Sequence, residues 1–200
     1  NTVTVSGDGF ADGEGATYTV TGSQTLVGSS KNIFTYKLNS SVVEEGVAAY
    51  ADVKETKVEN YNITTIFGTL TVTDENIPDT AVVTKTNNGA TYGLGEEVTF
   101  DIWVKNIYAD ERTVTLVEID GVDIIGDASF TLAGGEEKTV QATYTITEDD
   151  ILHKGFTNTV TAKFGNEKSY EANSDVKVAE PRGHLTVTKE TTSTPENGES

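Results

Sequence analysis

Branched and aromatic residues alternate with threonine and other polar residues along most of the chain, and this leaves few folds open. Ala16-Thr17-Tyr18-Thr19-Val20-Thr21 and Phe156-Thr157-Asn158-Thr159-Val160 each send alternate side chains to opposite faces. Such a pattern fits a pleated sheet with one covered face, and β-branched Thr, Val and Ile suit that surface. Thr supplies roughly one residue in six. Helix formers lack three-four periodicity. The one helical turn expected is Thr147-Glu148-Asp149-Asp150-Ile151-Leu152, with Thr147 as N-cap and acids near its start. Residues 40–53 fit either a helical turn or a loose strand. The chain is expected to be all-β.

Breaks in the alternation organise it. Asp74-Glu75-Asn76-Ile77-Pro78-Asp79 is polar and carries a proline, which marks a boundary. Before it, strands are expected at 2–5, 16–21 and 33–38, with a hairpin joining 61–66 to 69–73 through Phe67-Gly68. After it come seven strand candidates, at 81–86, 97–106, 113–120, 129–132, 138–147, 156–164 and 169–178. Seven short strands in about 100 residues describe an immunoglobulin-like β-sandwich. Ala81-Val82-Val83-Thr84-Lys85 is echoed by Leu185-Thr186-Val187-Thr188-Lys189, after a linker at Glu180-Pro181-Arg182-Gly183. The expected organisation is two tandem β-modules, 1–74 (incomplete at its N-terminus) and 80–179, plus the opening strand of a further module at 184–200.

Composition narrows the chemistry. With 14 basic residues against 32 acidic ones the net charge is −18. Such a surface repels nucleic-acid phosphates and anionic lipid, so neither partner is expected. The absence of cysteine removes disulfides, zinc-thiolate sites and thiol catalysis. The two histidines, His153 and His184, stand apart, with no Gly-x-Ser-x-Gly elbow to serve a triad. No apolar run is long enough to cross a bilayer as a helix. An enzyme is not expected.

Residues 80–178 resemble the Ig-like repeat modules of bacterial, mostly Gram-positive, surface proteins. The resemblance rests on Val83-Thr84-Lys85, on Gly95-Glu96-Glu97-Val98-Thr99-Phe100 leading into Ile102-Trp103-Val104-Lys105-Asn106, and on Leu132-Ala133-Gly134-Gly135-Glu136-Glu137-Lys138. It continues through Ala142-Thr143-Tyr144-Thr145-Ile146-Thr147-Glu148-Asp149-Asp150-Ile151 and Thr157-Asn158-Thr159-Val160-Thr161-Ala162. Residues 1–73 resemble a different repeat, the MBG/YDG-type module, through Val20-Thr21-Gly22-Ser23-Gln24-Thr25-Leu26-Val27-Gly28-Ser29-Ser30, Asn60-Tyr61-Asn62-Ile63-Thr64 and Gly68-Thr69-Leu70-Thr71-Val72-Thr73. The Tyr-Asp-Gly opening of that repeat is missing, and Phe67-Gly68 replaces its usual Asn-Gly or Asp-Gly turn. The resemblance implies a stalk, filament or adhesin backbone, extracellular, on a cell surface or cell wall. Its partners would be adjacent modules of the same chain, neighbouring copies, or a host ligand. No cofactor is implied.

Several motifs admit two readings. Asp74, Glu75, Asn76 and Asp79 carry oxygen ligands suited to Ca²⁺ at a module junction, and equally the polarity of a solvated linker. Asp120 with Asp123, and Glu148 with Asp149 and Asp150, read as a turn and a helix start before they read as calcium sites. Asn39-Ser40-Ser41 and Asn62-Ile63-Thr64 match the glycosylation pattern, as a Thr-rich chain does by chance. Trp103 alternates onto the face opposite Phe100 and Ile102, where it marks a module contact or a ring on which a sugar could stack, unless a bulge turns it inward as core.

The sharpest constellation is Lys85, Glu118 and Asn158. Lys85 shares a face with Ala81 and Val83; Glu118 with Val114 and Leu116; Asn158 with Phe156, Val160, Ala162 and Phe164. Three polar side chains thus aim into one lean core, where charge is costly. In an Ig-like topology Lys85 faces Asn158 across the core with Glu118 beside it. This suits a self-formed Lys–Asn isopeptide bond, as in the pilin and adhesin modules the chain resembles. Lys85 would be the nucleophile and Asn158 the acceptor, while Glu118 would polarise the Asn158 amide and shuttle protons as ammonia leaves. Asp101 is the rival acid, although it alternates outward, and Lys189 is the equivalent lysine of the further module. A buried ion pair and a lysine snorkelling to the rim remain open beside the covalent reading.

Overall fold

The computed structural model describes residues 2–40, 54–180 and 187–188. It is all-β. Among the described residues thirteen strands build four sheets, and one short α-helix interrupts them.

In the N-terminal region β1 (Ala16–Val20) pairs antiparallel with β3 (Phe34–Leu38), with Tyr18 opposite Tyr36. β2 (Gly28–Asn32) pairs with β4 (Gly68–Val72), from Gly28 opposite Val72 to Asn32 opposite Gly68. This replaces the hairpin expected at Phe67-Gly68. Gly68 lies inside β4 and residues 61–66 are not a strand. The physical reason is that Gly68 does not take the positive φ a two-residue hairpin turn needs, and its strand pairs instead with the distant β2. The Phe67 ring packs edge-on against Phe34, 5.5 Å between centroids. Residues 2–5 are not a strand either.

From Val82 onward two sheets face each other. One has the order β5 (Val83–Thr86), β7 (Glu97–Lys105), β11 (Glu137–Thr145), β9 (Asp123–Ile125). The other has the order β10 (Ser129–Leu132), β8 (Arg112–Glu118), β12 (Phe156–Phe164), β13 (Ser169–Val178), β6 (Thr91–Tyr92). All neighbours are antiparallel except β6, which runs parallel to β13. This is the sheet division of an Ig-like sandwich. The expected strands at 97–106, 113–120, 129–132, 138–147, 156–164 and 169–178 all appear, with ends moved by at most two residues. The first begins late, because Asp79–Ala81 forms a 3₁₀ turn.

The core lies between these sheets. Val83, Val104, Val114, Leu116, Val140, Val160, Phe164 and Tyr170 form its larger cluster; Tyr92, Val98, Phe100, Ile146 and Val176 form a second. β7 alternates exposed and buried without a slip from Glu97 to Ile102, so its outward residues include Asp101 and Trp103. The helix α1 (Glu148–Leu152) starts at a capping box. The Thr147 hydroxyl accepts from the Asp150 N–H, and the Asp150 carboxylate accepts from the Thr147 N–H.

The two regions meet at Val27. Its N–H donates to the Ile107 carbonyl at 2.9 Å and its carbonyl accepts from Ala109 N–H at 2.8 Å, a parallel bridge to Tyr108. The Leu26 side chain lies over Gly135, 3.4 Å from where a β-carbon on that glycine would stand. The polar segment at 74–79 is tied into the same junction. Asp74 accepts hydrogen bonds from the Tyr108 hydroxyl at 2.8 Å and the Tyr170 hydroxyl at 3.5 Å.

Candidate functional site: a buried lysine, glutamate and asparagine

Val83 and Lys85 both point inward from β5, as period-two geometry requires. The Lys85 side chain has no solvent exposure and that of Glu118 only 4 %. The Lys85 ammonium nitrogen lies 2.5 Å from Glu118 Oε2 and 4.7 Å from the centroid of the Phe100 ring. Lys85 therefore does not snorkel.

Asn158 comes from the adjacent strand. β12 pairs with β8 so that Val160 stands opposite Glu118. Asn158, two residues before Val160, shares that face and lies diagonal to Glu118. Its side chain is fully buried, and neither Nδ2 nor Oδ1 has a hydrogen-bond partner. Glu118 Oε1 is also buried without a partner. A buried polar atom without a partner costs about 1–3 kcal/mol. Three such atoms on one face, beside a buried lysine, form a concentrated unsatisfied polar site in an otherwise apolar core.

Electrostatics point the same way. Burial pulls the Lys85 amine below its ordinary range, against the opposing hydrogen bond and charge of Glu118. Burial likewise pushes the Glu118 carboxyl up, against the pull of Lys85. Both groups move toward their neutral forms, in which the amine is nucleophilic and the acid can donate a proton.

The rival acid is placed elsewhere. Asp101 is exposed on the outer face of β7, where it accepts from the Gln141 side-chain amide at 2.9 Å. Lys189 lies outside the described residues, as does His184. Of the junction residues, Glu75 and Asn76 are exposed, Asp74 is held by the two tyrosines, and Asp79 accepts from the Glu171 N–H at 3.0 Å. Asp74 and Asp79 thus act as hydrogen-bond acceptors that fasten the linker to the sandwich. Among the described residues no group of three or more His, Cys, Asp or Glu side chains converges as a metal site would require. Trp103 lies on the outer face with its indole N–H donating to Glu137 at 3.1 Å.

Sequence reading missed two residues beside the site. Asn158 pairs directly with Ser174 on β13, and Ser174 is buried. The Ser174 hydroxyl accepts from the Asn87 side-chain amide at 2.8 Å, and the same nitrogen reaches the Asp175 carbonyl at 2.8 Å. Asn87 follows Lys85 by two residues. That spacing was the available signal.

A separate groove of about 500 Å³ opens in the N-terminal region. Phe10, Tyr18, Phe34, Tyr36 and Tyr61 line it together with amide and hydroxyl side chains.

No protein-family model matches the chain, and no curated protein matches it. Among solved structures it is similar to a FixG-related protein from Vibrio parahaemolyticus, at 15% identity and a TM-score of 0.37, over 48% of this chain and 94% of that one. It is also similar to a PapD-like domain of human CEP192, at 12% identity and a TM-score of 0.30, over 60% of this chain and 99% of that one. A third is ACE19, the collagen-binding subdomain of the Enterococcus faecalis surface protein ACE, at 15% identity and a TM-score of 0.25, over 48% and 94%. Likenesses this distant carry no conclusion about function.

Proposed function

We propose that the chain is a structural segment of an extracellular bacterial surface stalk, adhesin or filament, and that its sandwich closes on itself through an isopeptide bond between Lys85 and Asn158. The observation that carries this reading is the fully buried Asn158 amide, unpartnered on both atoms, beside the buried Lys85–Glu118 pair. Neutral Lys85 Nζ attacks Asn158 Cγ. A C–N bond forms, and Glu118 takes a proton from Nζ and returns one to Nδ2. The Cγ–Nδ2 bond breaks and ammonia leaves. Atoms balance without an oxidant or a cofactor.

The product removes the unpartnered Nδ2 from the core. It also joins β5 of one sheet to β12 of the other, so tension applied outside the pair cannot lengthen the chain between them. A cysteine-free extracellular chain gains a cross-link that reduction does not open. Intact mass spectrometry of the folded protein tests it: the mass falls by one ammonia, and Lys85→Ala and Asn158→Ala each abolish that loss. An unshifted wild-type mass would refute the bond.

The aromatic groove favours a second reading, an adhesin segment that holds a host glycan or protein. A glycan-array screen in which Tyr36→Ala abolishes a signal would support it.

A further inference from the structure

We infer that Ser174, held by Asn87, is a fourth working group of the Lys85–Asn158 site, donating its hydroxyl hydrogen to Asn158 Oδ1 as the isopeptide bond forms. This rests on the cross-linking reading above and adds to it the group that activates the amide carbonyl. Four observations place it there. Ser174 is buried and directly opposite Asn158 in the β12–β13 register, so the two side chains share the core face. Directly paired residues in an antiparallel ladder have β-carbons about 4.5–5.5 Å apart, within reach of a short side-chain rotation. Asn87 donates to the Ser174 oxygen, while its own carbonyl oxygen is occupied by the Gly89 N–H at 2.7 Å. The serine hydrogen must therefore point away from Asn87, and among the described residues it has no acceptor. Asn158 Oδ1, on the paired residue, is a buried acceptor with no donor.

The chemistry needs a group at this point. When Lys85 Nζ adds to Cγ, negative charge gathers on Oδ1, and Glu118 is occupied with the proton moving from Nζ to Nδ2. A neutral hydroxyl aimed at Oδ1 stabilises that charge without competing for the proton. When the C–Nδ2 bond breaks and ammonia departs, Oδ1 returns to an amide carbonyl and keeps the hydrogen bond. A donor to a developing oxyanion is worth about 10²–10³ in rate.

The test uses two variants of one shape, Ser174→Thr and Ser174→Val, which differ in whether a hydroxyl or a methyl faces the amide. The full chain is made by cell-free synthesis, pulse-labelled, and its intact mass followed through a chase. Ser174→Thr is expected to lose ammonia near the wild-type rate. Ser174→Val is expected to lose it at least tenfold more slowly while reaching the same final mass. Equal rates for the two variants, whether both fast or both slow, overturn the role of Ser174 and leave the cross-link standing. A wild-type chain that never loses ammonia overturns the cross-link and this inference together. Asn87→Ala adds a second reading, because freeing Ser174 should slow the step less than Ser174→Val does; an effect as large would assign the role to Asn87 instead.

Discussion

Residues 2–73 and 82–178 carry the same alternation, yet they bury it to different depths. In the N-terminal region β1 and β2 alternate between half-buried and exposed. In the sandwich β7 alternates between exposed and fully buried. Among the described residues every buried hydrophobic side chain lies at or beyond Val82, and Thr56 is the one buried residue before it. The difference lies in the sheets. β1–β3 and β2–β4 are two-stranded, whereas the sandwich lays four strands against five. Alternation decides which side chains share a face. Burial needs a second sheet to cover that face, and two-stranded ribbons supply little of it.

The largest test of this contrast is Lys85→Ala. It removes the proposed cross-link and leaves Glu118 buried without its partner. Loss of loop closure alone costs on the order of 3–5 kcal/mol. Thermal unfolding should show the sandwich melting far lower, and hydrogen exchange should show β1–β3 protection unchanged. A fall shared equally by both regions would mean that they unfold as one unit.

Next in size is a matched pair of ring deletions. Phe164→Ala empties a fully buried site and should cost about 3–5 kcal/mol. Phe34→Ala, half-buried on β3, should cost well under half as much in chemical denaturation. Equal costs would show that the N-terminal region has a core of its own.

The junction comes third. Asp74→Ala leaves the buried Tyr108 and Tyr170 hydroxyls without their acceptor, at about 1–3 kcal/mol. The amide of Val27, bonded across the junction, should then exchange faster by hydrogen-exchange mass spectrometry. Unchanged exchange at Val27 would separate the bridge from the tyrosine anchor.

The smallest effect is on the acid limb of the stability curve. Burial pushes the Asp150 carboxyl up, but hydrogen bonds from the Thr147 hydroxyl, the Thr147 N–H and the Tyr144 hydroxyl outweigh it and hold the pKa below its ordinary 3.8. A depressed folded value makes this contribution fully present above about 3.8 and lost as pH falls through the lower folded value. Asp150→Asn should flatten that limb in the sandwich transition alone, as seen by unfolding at a series of pH values.

What the sequence made legible follows from the same physics. The long strands β7, β11, β12 and β13 could be read because each repeats the two-residue period four times or more. The inward aim of Lys85, Glu118 and Asn158 followed from parity within single strands. β2, with the sequence Gly-Ser-Ser-Lys-Asn, was not legible, because it offers no apolar face. β6 and β9 have two and three residues, too few for a period. Ser174 and the Val27 bridge were hidden for a different reason. Parity names a face, but only the register between strands names the neighbour on it.

The parallel pairing of β6 with β13 sets how the sandwich carries load until the cross-link forms. The β5–β6 end of the chain and the terminal strand β13 run in the same sense, so the chain enters at one pole and leaves at the other. Before the Lys85–Asn158 bond forms, opposed tension on the two ends slides β6 past β13 along their common axis; once it has formed, β6 lies inside the closed loop and carries none of that load. Without the bond, the β6–β13 hydrogen bonds resist in shear, all at once, whereas strands peeled apart from one end would yield bond by bond. Among the described residues this is the shortest ladder of the sandwich, Lys177 opposite Thr91 and Val178 opposite Tyr92. Extending that ladder by even one pair should raise the force at which the edge of the open chain lets go.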